Sequence, residues 1–250
     1  KHSDDESDAI QLARLLRLGI LPVGHIMEKG ARALRDLARK RLQLVRSRTQ
    51  HVLAVENIVA RERGARLSCR DVKRLTPEGV EALGLGADVG LAVKANLAVI
   101  ATLSQQIAIL EARLLEEARP RPEYALLKSI PGIGEVLSIV ILLEAGEIGR
   151  FAAVGNFASY ARCVDSARYS NGRKKGEGNT KNGNAYLAWA FVEAANFARR
   201  FCDEARRFFE RKKSRTNTVV ATKALAHKLA RAAYHVLKDG EPFDVKRCFA

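Results

Sequence analysis

The residues best suited to chemistry lie in one polar block. Arg168 to Lys181 reads RYSNGRKKGEGNTK and is followed by NGN, with Ser170 set between Tyr169 and Asn171. A serine hydroxyl is a weak nucleophile at neutral pH, so it needs a base or a metal-activated environment. A phosphodiester under attack needs cations to absorb developing charge. Arg173, Lys174, Lys175 and Lys181 supply them, and no His or Glu near Ser170 makes a plain hydrolytic triad. Ser166 stands close enough to be a second candidate nucleophile. The block is too polar for a core and too rich in glycine for a helix, so it is an ordered loop or hairpin only if something such as a phosphate backbone holds it. A solvated basic loop has the same composition.

A second candidate sits at the other end. Asp5 and Asp8, three apart at the start of a helix, place two carboxylates on one face, a pair that can hold Mg²⁺ or Mn²⁺ through oxygen ligands. Acids at a helix N-terminus also simply offset the dipole. Between these ends, Tyr124 to Ala145 reads YALLKSIPGIGEVLSIVILLEA, a helix-hairpin-helix pattern. Gly132 and Gly134 let the backbone approach a phosphate, which the N–H groups opening the second helix would meet. A tight turn between two packed helices would look the same. Farther on, Arg199 to Arg215 holds eight Lys or Arg against three acids, a face for phosphates that includes Arg199, Arg206 and Lys212. Trp189, among Leu187, Ala188, Ala190 and Phe191, is a core residue rather than a base-stacking platform. His227 and His235 have no carboxylate at ligand spacing, so no metal pair is expected there.

The elements that must position these groups are mainly α. One helix covers Asp8 to Leu18 and stops at Gly19. A second runs from about Glu28 to Arg63 with Leu34, Ala38, Arg41, Val45, Arg48, Val52, Val55 and Val59 in alternating steps of four and three, the two Arg weakening the seam. Thr76 and Pro77 open a short helix. A long helix from Asp88 to Ala118 repeats the pattern, and the two long helices suggest an antiparallel coiled-coil arm, or else part of a plain bundle. Arg119 to Pro122 breaks the chain. Beyond it, helices are expected from Ala185 to Lys213 and from Thr218 to Leu237. The organisation expected is therefore residues 1–24, an arm at 25–120 and a helical domain at 121–250.

Lys and Arg outnumber Asp and Glu by 43 to 28, giving a formal charge of +15. Such a chain attracts polyanions, nucleic acid first. No uninterrupted apolar run approaches the ~20 residues of a membrane span. Four scattered cysteines without a C-x-x-C pair suggest a reduced, cytoplasmic protein with neither disulfides nor structural zinc. The opening residues, Lys1 to Asp5, lack an initiator Met and a signal peptide, as expected of a piece cut from a longer chain.

Taken together, Asp5-x-x-Asp8-Ala9, the helical arm, the IPGIG hairpin, the block FASYARCVDSARYSNGRKKGEGNTKNGN and the tail VVATKALAHKLARAAYHVL resemble the DEDD insertion-sequence transposases. This is the family numbered one hundred and ten among insertion sequences, related to the pilin-gene invertases of the Piv/MooV type. The resemblance covers nearly the whole chain, and its specificity lies in the Ser170 block and its spacing from IPGIG. It implies a RuvC-like, RNase-H-type domain ahead of the arm whose four acids bind Mg²⁺, with residues 1–24 as its C-terminal remnant. It also implies a transposase domain whose serine attacks DNA. Asp5 and Asp8 match the last two acids, and Ser170 matches the serine. The first Asp and the Glu have no counterpart here, so strand exchange by these 250 residues alone is not expected. Further implications are donor and target DNA, a guide RNA, a dimer or tetramer, and action at the nucleoid. The competing expectation is a non-catalytic DNA- or RNA-binding helix-hairpin-helix module.

Overall fold

The computed structural model describes residues 5–21, 24–164, 167–177 and 182–249. The architecture is mainly α, in the order α1 (Asp5–Arg17), α2 (Lys29–Arg63), α3 (Cys69–Arg74), α4 (Pro77–Ala82), α5 (Ala87–Ala118), α6 (Pro122–Lys128), α7 (Glu135–Ala145), a 3-10 turn (Ile148–Arg150), α8 (Val154–Tyr160), β1 (Ala167–Ser170), β2 (Arg173–Glu177), α9 (Ala185–Phe201), α10 (Asp203–Lys213), α11 (Thr218–Asp239) and α12 (Val245–Phe249).

α2 and α5 form an antiparallel pair, since partners fall in number on α5 as they rise on α2. Arg41 Nε donates to Glu111 at 2.8 Å, Arg48 to Ser104 Oγ at 3.3 Å, and His51 Nδ1 lies 2.8 Å from Asn96 Oδ1. The arginines that sequence periodicity set on the seam as weak points are thus answered from the facing helix. The far end of this arm has a core of its own, in which Val52, Val55 and Val59 of α2 meet Val72 of α3, Val80 of α4, and Val93 and Ile100 of α5. Ser68 opens α3 with a capping box, and Thr76 caps α4 with Pro77 in its first turn. α5 has the length and composition of a membrane span, its most apolar window having a mean hydropathy of 1.4. Counting uninterrupted apolar runs missed this; its polar partners on α2 nevertheless describe a helix paired within the chain.

The larger core is built around α7. From Leu137 to Ala145 every residue is buried, against α6, α9 and the arm roots. Ala38 of α2 and Leu114 and Ala118 of α5 belong to this core, so Arg119 to Pro122 turns the chain without dividing its hydrophobic interior. Trp189 is half-buried and packs against the same core.

The expected single helix from Ala185 to Lys213 is two. The chain extends at Cys202 (φ −130°, ψ 120°), and Asp203 and Glu204 occupy the first turn of α10, where acids suit the new N-terminus. The bend turns Ala205 and Phe209 inward. None of the residues of α1 is buried.

Candidate functional site

Residues 167–177 of the serine block form a β-hairpin, which the hydrophobic pattern did not reveal because its strands are polar. The missed signal is the Asn171-Gly172 pair. Both residues have positive φ, 52° and 70°, as a two-residue turn that matches strand twist requires. β1 and β2 pair antiparallel with Ser170 opposite Arg173, Tyr169 opposite Lys174, Arg168 opposite Gly176 and Ala167 opposite Glu177. Lys175 is left as an extra residue, a bulge that bends the second strand.

Ser170 and Arg173 therefore flank the turn as a cross-strand pair, both exposed. Directly opposite residues hold their Cβ atoms ~5 Å apart, so the Arg173 side chain is within reach of the hydroxyl. Lys175 is exposed as well, and Lys174 holds its strand position; Ser166 and Lys181 lie outside the described residues. Among the described residues no histidine or carboxylate accepts a hydrogen bond from Ser170. Among the described residues the tip is a hydroxyl beside cations.

The neck of this loop is built differently. Asn184 N donates to Tyr160 O at 2.6 Å, and Arg162 Nη2 donates to Gly183 O at 3.0 Å, so the outgoing and returning strands are joined where the loop leaves α8 and enters α9. The Asn184 side chain caps α9, Oδ1 accepting from Tyr186 N and Leu187 N. Its Nδ2 donates to Glu144 Oε2 at 2.6 Å. Glu144, only 1% exposed, also receives two hydrogen bonds from Arg39 of α2, Nε at 2.6 Å and Nη2 at 2.7 Å. Those bonds hold the Arg39 guanidinium above its ordinary pKa. A carboxylate so deeply buried persists only when its oxygens are satisfied, and here they are. The lone Glu in the apolar run ILLEA and the Asn ahead of α9 were the legible signs of this node, and sequence reasoning assigned neither a role.

The other expected phosphate ligands have varied surroundings. Gly132 (φ +86°) lies against α9: a Cβ there would come 2.6 Å from Ala198 N and inside the contact distance of Ala194 O. Its lack of a side chain is accounted for by helix packing. Gly134 is exposed and opens α7 in extended conformation without a side-chain cap, with Glu135 next to it, 3.7 Å from Lys128. Arg206 donates to the carbonyls of Arg199 and Arg200 at 3.2 and 2.9 Å, closing the C-terminus of α9, and lies 3.1 Å from Asp203. Arg199 stacks over Phe209 at 4.8 Å, whereas Lys212 is exposed. Against the sequence expectation of no carboxylate at this spacing, His235 lies 3.8 Å from Asp239, one helical turn on.

Asp5 and Asp8 share the exposed first turns of α1. No group of three or more His, Cys, Asp or Glu able to hold a metal occurs among the described residues. Mg²⁺ demands near-octahedral oxygen coordination, of which two exposed carboxylates supply only a part. The described residues do not make up a magnesium site.

No curated protein matches the chain. Residues 124–210, the stretch from α6 to α10 that contains the hairpin and its neck, match the family described as Transposase IS116/IS110/IS902, and this match supports a transposase of that family.

Proposed function

We propose that this chain carries the arm and the serine-bearing domain of a DNA transposase in which Ser170 forms the covalent link to DNA. The observation that supports it is the placement of Ser170 at an exposed hairpin tip opposite Arg173, inside the stretch that matches the transposase family. The Ser170 oxygen attacks a phosphodiester phosphorus, and the bond to one neighbouring deoxyribose oxygen breaks. The serine proton is lost as that oxygen gains one and leaves as a hydroxyl. Attack by a hydroxyl of another strand reverses the step and completes strand exchange. Arg173 and Lys175 balance the charge that builds on the phosphoryl oxygens.

The resemblance extends this reading to a RuvC-like domain ahead of α1, to Mg²⁺ held partly by Asp5 and Asp8, to a guide RNA and to an oligomer. No step above is routed through the metal, because the two carboxylates do not complete its shell.

The test is covalent capture. A protein that includes the preceding domain is incubated with donor and target DNA and guide RNA, and protein-DNA adducts are resolved under denaturing conditions. Ser170→Ala should abolish adducts while leaving DNA binding within about twofold. Adducts that persist in Ser170→Ala and vanish in Ser166→Ala would move the nucleophile to Ser166. Binding without adducts in any version would leave a non-catalytic clamp.

A further inference from the structure

We infer that the root of α2 carries a DNA-binding trough, a phosphodiester track that receives the duplex as it leaves the serine hairpin. This rests on the reading of the hairpin as the DNA-attacking element, and it adds a contact surface on α2, outside the residues that match the transposase family, with only Tyr186 drawn from inside them.

The trough is an open hollow of about 340 Å³ lined by Asp36, Arg39, Lys40, Leu42, Gln43 and Arg46 of α2 and by Tyr186 of α9. The first twenty residues of α2, Lys29 to Arg48, hold eight Lys or Arg and a single acid, Asp36. Several of these cations are engaged within the chain: Arg39 with Glu144, Arg41 with Glu111, and Arg48 with Ser104. Arg35 draws Asp36 to 3.5 Å, so the one acid on the trough has a cation of its own. Lys40 and Arg46 remain exposed on it, Lys40 touching only the Gln43 amide at 3.1 Å. Two exposed cations flanking the trough are a site for a polyanion.

The spacing fits a nucleic-acid backbone. Lys40 and Arg46 flank the trough and differ by ~9 Å along the axis of α2, the axial rise of two to three nucleotides at ~3.4 Å each. Position supports DNA over an acidic protein. Arg39 both lines the trough, its guanidinium 4.5 Å from the Tyr186 ring, and holds Glu144, to which Asn184 at the loop neck is bonded. The trough therefore begins where the serine loop is anchored. Ten residues separate Tyr160 at that anchor from Ser170, a reach of at most ~35 Å, or about ten base pairs.

The experiment is a salt titration of duplex binding by the full chain. Lys40→Ala/Arg46→Ala should reduce the slope of log affinity against log salt by about two and weaken unrelated sequences about equally. The charge-matched control Lys73→Ala/Arg74→Ala, on exposed α3 at the far end of the arm, should leave slope and affinity unchanged. Arg46→Lys should keep most of the binding. An unchanged slope in the double variant, or an equal loss in the control, would overturn the trough. The titration is repeated with an RNA duplex of the same sequence, and a loss confined to RNA would overturn the assignment to DNA. Persistent adducts in Ser170→Ala together with a lost slope in the double variant would remove the catalytic reading and leave the trough standing. The opposite pair of results would do the reverse.

Discussion

Among the turns that place a glycine at positive φ, Gly132 between α6 and α7 and Gly172 between β1 and β2 do so for unlike reasons. At Gly132 the space a side chain would need is filled by the backbone of α9 at Ala194 and Ala198. At Gly172 nothing lies within 4 Å of where a Cβ would be, and only the twist of a two-residue turn calls for glycine. The first belongs to the core and fixes how α7 meets α9, while the second belongs to the surface and sets where Ser170 and Arg173 stand. A glycine-rich turn near basic residues is thus not one kind of object. The IPGIG turn has a packing task whether or not DNA touches it, and the hairpin turn has no packing task.

The sharpest way to break this comparison is Gly132→Ala. The methyl group strikes main chain, which no rotamer change can relieve, and the left-handed backbone adds its own cost. A loss of about 3 kcal/mol or more is expected, measured as a fall in the denaturation midpoint. Because the clash is with backbone, Ala194→Gly should not rescue it; rescue would show that side-chain crowding was the cause. Gly172→Ala should cost about 1 kcal/mol and leave global stability almost untouched. Its effect belongs in faster amide exchange across residues 167–177 and in slower adduct formation. A global loss as large as that of Gly132→Ala would mean that the hairpin is packed after all.

The smallest effect concerns the neck. Burial pushes the Cys163 thiol, just beyond α8, up from 9.0 to about 12, against a smaller opposing pull from Lys223. The folded state thus favours the neutral thiol. Its stabilising contribution is complete below pH 9.0 and is lost as pH rises toward 12. Near neutral pH a thiol reagent should modify exposed Cys69 well ahead of Cys163. Equal rates would show that the neck opens freely enough to expose Cys163.

Much of the scaffold was legible in the sequence because helical periodicity and caps are local signals. The bounds of α2 and α5, Thr76 with Pro77, and the break after Ala118 all follow from residues within a few positions of one another. The hairpin was not legible as strands because Arg168, Lys174 and Lys175 offer no apolar alternation, though Asn171-Gly172 names its turn. The division at Cys202 was hidden by an apolar stripe that runs across it. Of the candidate site, Ser170 could be picked out by its setting among cations. The Arg39, Glu144 and Asn184 node could not be assembled, because its members come from three helices whose packing no local pattern specifies. Arg206 shows the limit of counting charge, since it belongs to the basic run yet is bonded to the end of α9.

The joined neck has a consequence for how this chain can vary. Tyr160 and Asn184, 24 residues apart, meet at the base of the loop, so the entropy of closing the loop is met at that point rather than by the hairpin itself. Closure entropy grows only logarithmically with length, and doubling such a loop costs ~0.6 kcal/mol. Residues added beyond the neck therefore scarcely burden the fold. The segment bearing Ser170 can lengthen, shorten or exchange its tip over generations while α7, α8 and α9 keep their places, which leaves the reach toward DNA free to drift independently of the core that supports it.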